Sequence, residues 1–181
     1  MRVLTASFVL ALALPSCQQD EHTYAIIETN YGDMRVLLYN STPKHRDNFI
    51  KLAEEGFYDD LLFHRVIQEF MIQGGDPESR NAQPAMIYGM GGPGYQLDPE
   101  IGAPLAAARD NNPEKRSSGS QFYIVQGREV NDAMLDQMEQ KKGIKYNEAQ
   151  RQLYKDLGGA PFLDNDYTVF GELVDGFEVL D

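Results

Sequence analysis

The residues with the clearest chemical potential lie in FHRVIQEFMIQGGD, residues 63–76, and in GSQFYI, residues 119–124. The first stretch contains Arg65 and Gln73, and the second contains Gln121 and Tyr123. These side chains exchange hydrogen bonds, but neither stretch holds an evident nucleophile, metal cluster or phosphate-binding loop. The open question is what an arginine does in such a setting.

Three other candidate sites fail on their context. Residues 89–94, GMGGPG, match G-x-G-x-x-G, but Pro93 and the YQLDPE that follows do not open the helix that a dinucleotide site needs. The histidines His22, His45 and His64 fall in a tether, a helix and a strand, so a metal site is not expected. The serines of residues 117–120 lack a G-x-S-x-G elbow and a histidine downstream.

The composition of the chain restricts the classes of molecule that it binds. With 181 residues it suits one domain, and its net charge of −12 argues against nucleic acid, which requires clustered lysine and arginine. We therefore expect no nucleic acid partner, no cofactor and no metal, and a monomer.

The first residues are typical of an export signal. Residues 1–16 carry an arginine and then the apolar run VLTASFVLALAL, which is too short for an ordinary membrane-spanning helix. The run ends at LPSC, which resembles a bacterial lipobox, so we expect cleavage before Cys17 and lipidation of its sulfur. A plain secretory signal is the alternative. Residues 17–23 then form the lipidated end and a tether, and the protein would be held in the cell envelope, facing the periplasm or the cell surface.

The rest of the chain reads mainly as β-structure. Alternating or β-branched runs predict strands at residues 24–28, 34–39, 63–66, 70–73, 105–108, 121–126 and 168–173, and Thr42 with Pro43 begins a helix that ends near Gly56. Short strands separated by turns predict a closed antiparallel barrel.

A helical pattern interrupts these strands within residues 129–160. Asn131 caps a predicted helix that ends at Gly143, and a second helix carries Ala149, Leu153 and Leu157 on one face. We interpret this segment as an inserted helical hairpin beside the barrel.

Taken together, the FHRV, FMIQGGD, GMGGPGY, GSQFYI, FLD and YTVFG motifs resemble the cyclophilin-type peptidyl-prolyl cis-trans isomerases from residue 24 to the end of the chain. The resemblance implies an eight-stranded antiparallel barrel capped by helices. It also implies that the chain accelerates rotation about X-Pro bonds in proline-containing polypeptides, here exported proteins during folding. A non-catalytic proline-peptide binding module or a membrane-anchored chaperone is the alternative.

The resemblance gives the arginine a task. Rotation about an X-Pro bond crosses a barrier of roughly 18 to 20 kcal/mol because the amide nitrogen shares its lone pair with the carbonyl. A hydrogen bond donated to that nitrogen favours the twisted state, and Arg65 takes this role by resemblance, with Gln73 bonding the substrate backbone. The resemblance also implies a set of substrate-binding residues: Phe70, Met71, Ala108, Arg109, Gln121, Tyr123, Phe162, Leu163 and Tyr167.

Some of these positions remain open to another interpretation. An isolated Phe70-Met71 pair would be ordinary core, whereas alternation along a strand places Met71 and Gln73 on one face. Phe162 stands where many family members have tryptophan, Tyr167 where they have histidine and Arg109 where they have asparagine. Because a phenyl ring lacks the N–H donor of an indole, the sequence does not predict strong cyclosporin binding and leaves cyclosporin sensitivity open.

The last residues raise an expectation about the fold. Related proteins continue by about twenty or more residues beyond this point, by resemblance, and add a final strand. We therefore expect that the last barrel strand is missing from residues 24–181 and that the sequence is a fragment or a truncated product.

Overall fold

The computed structural model describes residues 22–101 and 112–180. The predicted signal and Cys17, the predicted strand at residues 105–108, and the predicted binding residues Ala108 and Arg109 lie outside the described residues.

The first sheet is built on a hairpin followed by a distant strand. Strands β1 (Thr23–Thr29) and β2 (Gly32–Leu38) pair in antiparallel fashion, which confirms the predicted hairpin, and strand β8 (Gly171–Asp175) pairs with the other edge of β2. Met34 and Leu38 point inward and are almost fully buried. Alternation along β2 thus supplies one layer of the core.

The second sheet carries the candidate site. Strands β3 (Arg65–Ile67), β4 (Met71–Gly74) and β7 (Phe122–Val125) form an antiparallel sheet with β4 in the centre. The intervening strands β5 (Gln96–Leu97) and β6 (Ser117–Ser118) pair only with each other.

The expected closed barrel is not seen among the described strands, which do not include the predicted strand at residues 105–108. Within residues 22–101 and 112–180 the fold combines short strands with three α-helices, and the strands divide into three separate sheets that no continuous ladder closes. Strands β3, β5 and β6 are only two or three residues long, so loops rather than paired backbone join one sheet to the next.

Helix α1 (Pro43–Glu54) begins as predicted but is capped differently. Thr42 occupies the N-cap position without a side-chain cap bond. Instead the Glu100 carboxylate accepts hydrogen bonds from the backbone N–H groups of Lys44 and His45, at 3.1 and 3.0 Å. An acidic side chain from a distant loop therefore stabilises the positive end of this helix.

The helical insertion is present as two capped helices. Helix α2 (Asp132–Lys142) is capped by the side chain of Asn131, and helix α3 (Glu148–Leu157) begins with a capping box between Asn147 and Gln150. At the base, Arg128 and Gly159 form an isolated antiparallel bridge. The insertion thus leaves and rejoins the rest of the chain at adjacent points.

The buried face of α3 differs from the prediction. Leu153 and Leu157 are 50% and 75% exposed, whereas Tyr154 is 7% exposed and packs in a small cluster with Val130 and Leu135. The apolar stripe misled the prediction because Tyr154 combines an apolar ring with a hydroxyl that has a buried partner.

No helix within residues 22–101 and 112–180 combines the length and the apolar character needed to cross a membrane.

Candidate active site

Strand register brings the polar site residues into one row. Across the second sheet Arg65 pairs with Gln73, and Gln73 pairs with Tyr123. Directly opposed residues on antiparallel strands project to the same face, with Cβ atoms about 4.5 to 5.5 Å apart. Met71 lies on the same face as Gln73, as alternation predicted.

A chain of hydrogen bonds orients the arginine within this row. The Gln121 amide donates to the Gly91 carbonyl at 2.6 Å, and the Gln73 amide donates to Gln121 Oε1 at 3.1 Å. Arg65 then donates to Gln73 Oε1 at 3.3 Å. Because the Gly91 carbonyl only accepts, both glutamine amides are fixed in one orientation.

Aromatic and aliphatic side chains line the space beside this row. The Phe70 ring lies 5.3 Å from that of Phe162 and 6.5 Å from that of Tyr123, and Tyr123 lies 6.2 Å from Tyr167. Leu163, at the end of the 3₁₀ turn Pro161–Leu163, packs in the same cluster. The result is an apolar surface next to a guanidinium group.

These residues surround a cleft of about 930 Å³. The predicted site residues that line it are Arg65, Phe70, Met71, Gln73, Tyr123, Phe162, Leu163 and Tyr167. Met71 is only 1% exposed, so it belongs to the core and also forms the floor of the cleft. Gln121 is not among the lining residues, but it accepts a hydrogen bond from the Gln73 amide and so supports it.

A buried carboxylate fixes the glycine-rich loop at the edge of the cleft. Asp76 is 0% exposed and accepts hydrogen bonds from the backbone N–H groups of Glu78, Gly89 and Gly91. Burial alone would raise the pKa of Asp76, but the three backbone donors and nearby His64 hold it below the ordinary 3.8. Asp76 therefore holds the glycine-rich loop, residues 89–94, in place at the edge of the cleft.

Gly75 lets two strand ends approach closely. Its φ is +86°, and a Cβ atom there would lie 2.2 Å from the Ser120 carbonyl oxygen. Any other residue would push residues 119–121 away from β4 and would displace Gln121 from Gln73.

The structure adds lining residues that the sequence did not indicate: His64, Tyr88, Gly89, Asn112, Pro113, Lys115 and Asp166. Gly89 opens the GMGGPGY motif and Tyr88 precedes it, but the motif did not predict that either residue lines the cleft. Lys115 and Asp166 meet at 3.1 Å although they are distant in sequence, so no local pattern could have paired them. Burial lowers the pKa of the His64 imidazole and favours its neutral form.

Within the described ranges no group of histidine, cysteine, aspartate and glutamate side chains is arranged to hold a metal ion.

Comparison with known proteins relates the chain to one enzyme family. Residues 24–181 match the family model of the cyclophilin type peptidyl-prolyl cis-trans isomerases. A Staphylococcus haemolyticus protein named as a peptidyl-prolyl cis-trans isomerase is 37% identical over 164 residues, which cover 90% of this chain and 81% of that protein.

A solved structure of a Cryptosporidium parvum cyclophilin type isomerase superposes with a TM-score of 0.60 at 28% identity, covering 88% of this chain and 82% of the other. A second structure of the same protein, obtained in the presence of the dipeptide Ala-Pro, gives a TM-score of 0.59 at 29% identity, over 87% and 82% of the two chains.

Proposed function

Because the chain belongs to the cyclophilin-type peptidyl-prolyl cis-trans isomerases, we propose that it twists X-Pro bonds in the cleft lined by Arg65, Gln73 and Phe162. The observation that carries this assignment is the cross-strand row of Arg65, Gln73 and Tyr123 beside an apolar surface. That combination suits a substrate with an apolar ring and a polar amide at adjacent positions.

Arg65 acts on the amide of the substrate. As the X-Pro bond rotates, its nitrogen loses conjugation with the carbonyl and becomes a better hydrogen-bond acceptor. A donor that meets the nitrogen only in this twisted state lowers the barrier without breaking a bond. Gln73 occupies one of the five N–H donors of Arg65, which leaves other donors of the rigid fork for the substrate.

The glutamine chain prepares this arrangement before the substrate arrives. Gly91 fixes Gln121, which fixes Gln73, which in turn orients Arg65. Donors that are already oriented need little reorganisation at the transition state, which is the main advantage of such a site over water.

The apolar surface binds the proline ring. Phe70, Met71 and Leu163 offer carbon surface at the bottom and side of the cleft, and each buried methylene of the ring contributes about 0.8 kcal/mol. The Ala-Pro dipeptide present with the Cryptosporidium parvum protein supports proline-containing peptides as the ligands. This contact holds the ring while the preceding residue rotates.

The direct test is proline-isomer exchange measured by NMR on a short X-Pro peptide with the purified chain. We expect cross-peaks between cis and trans forms at mixing times where the free peptide shows none. Binding of the peptide without faster exchange would favour the non-catalytic binding module instead.

We also propose that the natural substrates are exported proteins and that a lipid on Cys17 anchors the enzyme in the cell envelope, facing the periplasm or the cell surface. The support is the sequence of residues 1–17 alone. A triacylated cysteine would carry three chains, and each buried methylene adds about 0.8 kcal/mol to membrane binding.

Fractionation of a bacterial host should place the native chain with membranes and Cys17→Ser in the soluble or uncleaved fraction. Equal membrane association of both would refute the anchor.

A further inference from the structure

Asp164 is a buried carboxylate at the edge of the cleft. It follows Leu163 directly, is 7% exposed, and lies two residues from Phe162. The Tyr154 hydroxyl lies 2.8 and 2.7 Å from its two oxygens, and the Tyr146 hydroxyl lies 2.7 Å from Oδ2. Both tyrosines belong to the helical insertion.

A lysine of the insertion holds the same segment from a second side. Lys142 Nζ donates to the Asp164 backbone carbonyl at 2.7 Å and to Asp166 Oδ2 at 2.6 Å. Lys115 binds the other oxygen of Asp166 at 3.1 Å and the Asn165 carbonyl at 2.6 Å. The turn after Leu163 is thus held between the insertion and the loop that contains Lys115.

Asp164 depends on these contacts because its carboxylate is buried. Burial raises the pKa of Asp164 despite hydrogen bonds from Tyr154 and Tyr146 and the charge of Lys142. A buried carboxylate that loses such donors must take a proton, admit water or move. Movement of Asp164 would displace Leu163, to which it is covalently joined, and with it one side of the cleft.

We propose that the helical insertion is a positioning element of the active site, in which Tyr146, Tyr154 and Lys142 hold Asp164 and so fix the Phe162-Leu163 side of the proline pocket. These three are positioning residues because they act through Asp164. The inference rests on the proposed role of Phe162 and Leu163 in binding proline.

The insertion provides a matched control. Arg151 joins Asp132, Asp136 and Glu139 within the insertion, at 3.2, 2.7 and 3.0 Å. Its contacts stabilise the same two helices, but in the described residues it makes no contact with Asp164. Arg151→Gln therefore weakens the insertion without removing any side-chain donor to the Asp164 segment, and it reaches Tyr146 only through Glu139, whose Oε1 also accepts from the Tyr146 backbone N–H.

The test uses the full chain with Tyr146→Phe, Tyr154→Phe and the double variant. We expect KM for an X-Pro peptide to rise about tenfold in the double variant with a smaller change in kcat, because the pocket binds proline in both the ground and transition states. Arg151→Gln should leave KM within about twofold of the native value. An unchanged KM in the double variant, or an equal rise in Arg151→Gln, would overturn the proposal.

Two further measurements separate positioning from simple destabilisation. In an Asp164→Asn background, Tyr154→Phe should add little to the loss, whereas fully additive losses would contradict coupling through Asp164. The methyl resonances of Leu163 should shift in the tyrosine variants and not in Arg151→Gln, and this readout does not require turnover.

If the double variant does not fold, Tyr146→Phe alone must show a KM increase of about threefold with the same Leu163 shift, and its absence would refute the proposal.

A native chain without exchange activity would count against the proposed function, whereas Leu163 shifts in the tyrosine variants would still support the positioning role.

Discussion

Arg65 is the residue on which the chemistry depends. We predict that Arg65→Ala lowers the catalysed exchange rate by at least tenfold, because a hydrogen bond from a charged donor to a transition state is worth a few kcal/mol. Arg65→Lys keeps the charge but lacks the rigid fork, so it should recover only part of the rate. NMR exchange at saturating peptide measures both variants.

Arg35 is a suitable control for this experiment. It lies over the Tyr24 ring at 3.9 Å on the first sheet, away from the cleft residues. Arg35→Ala should leave the exchange rate unchanged. A comparable loss of exchange rate in Arg35→Ala would mean that the rate responds to overall stability or net charge. It would contradict a specific catalytic role for Arg65.

Asp76 should make the glycine-rich loop sensitive to acid. Its folded pKa lies below the unfolded value near 3.8, so its stabilising contribution is complete above that pH and is lost as pH falls through the lower folded pKa. We predict that Asp76→Asn lowers the free energy of unfolding by about 1 to 3 kcal/mol at neutral pH. Urea titrations should show the gap to the native chain narrowing below the unfolded pKa.

The exposed neighbour Glu78 provides the comparison, since its backbone N–H contacts Asp76 but its side chain faces solvent. Glu78→Gln should change stability little at any pH. A constant gap between native chain and Asp76→Asn across acidic pH would contradict the role assigned to the ionised Asp76.

At the scale of single elements, the insertion should loosen in acid through Glu139. Hydrogen bonds from Lys145 and the Tyr146 backbone N–H, assisted by Arg151, lower the pKa of Glu139 from 4.5 to about 2. Its contribution is therefore complete above about pH 4.5 and is lost as pH falls towards 2. Amide exchange in α2 and α3 should accelerate over this interval before exchange in β1 and β2 does.

Glu139→Gln should remove most of this pH dependence while leaving the insertion less protected at neutral pH. Identical acid profiles for the native and substituted chains would show that another carboxylate controls the insertion.

The sequence patterns predicted the secondary-structure elements more accurately than the contacts between those elements. The hairpin of β1 and β2, helix α1 and the two inserted helices followed from alternation, caps and turn residues, which are local signals. Predicting that Arg65 pairs with Gln73 would have required the register between β3 and β4. Predicting that Tyr146 and Tyr154 support Asp164 would have required knowing how distant segments pack together. Tyr154 was missed because a stripe of leucines on α3 suggested a different buried face.

The Phe70-Met71 pair shows the limit of the core-or-site distinction. The sequence posed the two as alternatives, yet Met71 is buried and still lines the cleft. A side chain on a central strand serves both purposes when the site is an opening in the core itself.

For the whole molecule, the net charge of −12 should make stability depend on salt. Self-repulsion of a strongly acidic surface opposes the compact state, and at 0.15 M ionic strength screening limits it to about 8 Å. We predict that Tm rises as sodium chloride increases from about 10 to 150 mM, and that the chain stays monomeric in this range by light scattering. A falling Tm would show that attractive ion pairs outweigh the repulsion.

The paired base of the insertion has a consequence for how such a chain changes over generations. Because Arg128 and Gly159 face each other across one hydrogen-bonded bridge, the ends of the insertion already sit at the spacing that a tight turn spans. A gene could lengthen, exchange or lose the intervening segment without altering the register of β4 and β7. Without the insertion Asp164 would lose the hydrogen bonds from Tyr146 and Tyr154, so its buried charge would need a new partner or a neutral replacement. Loss of the helices and substitution of this aspartate should therefore occur together among descendants.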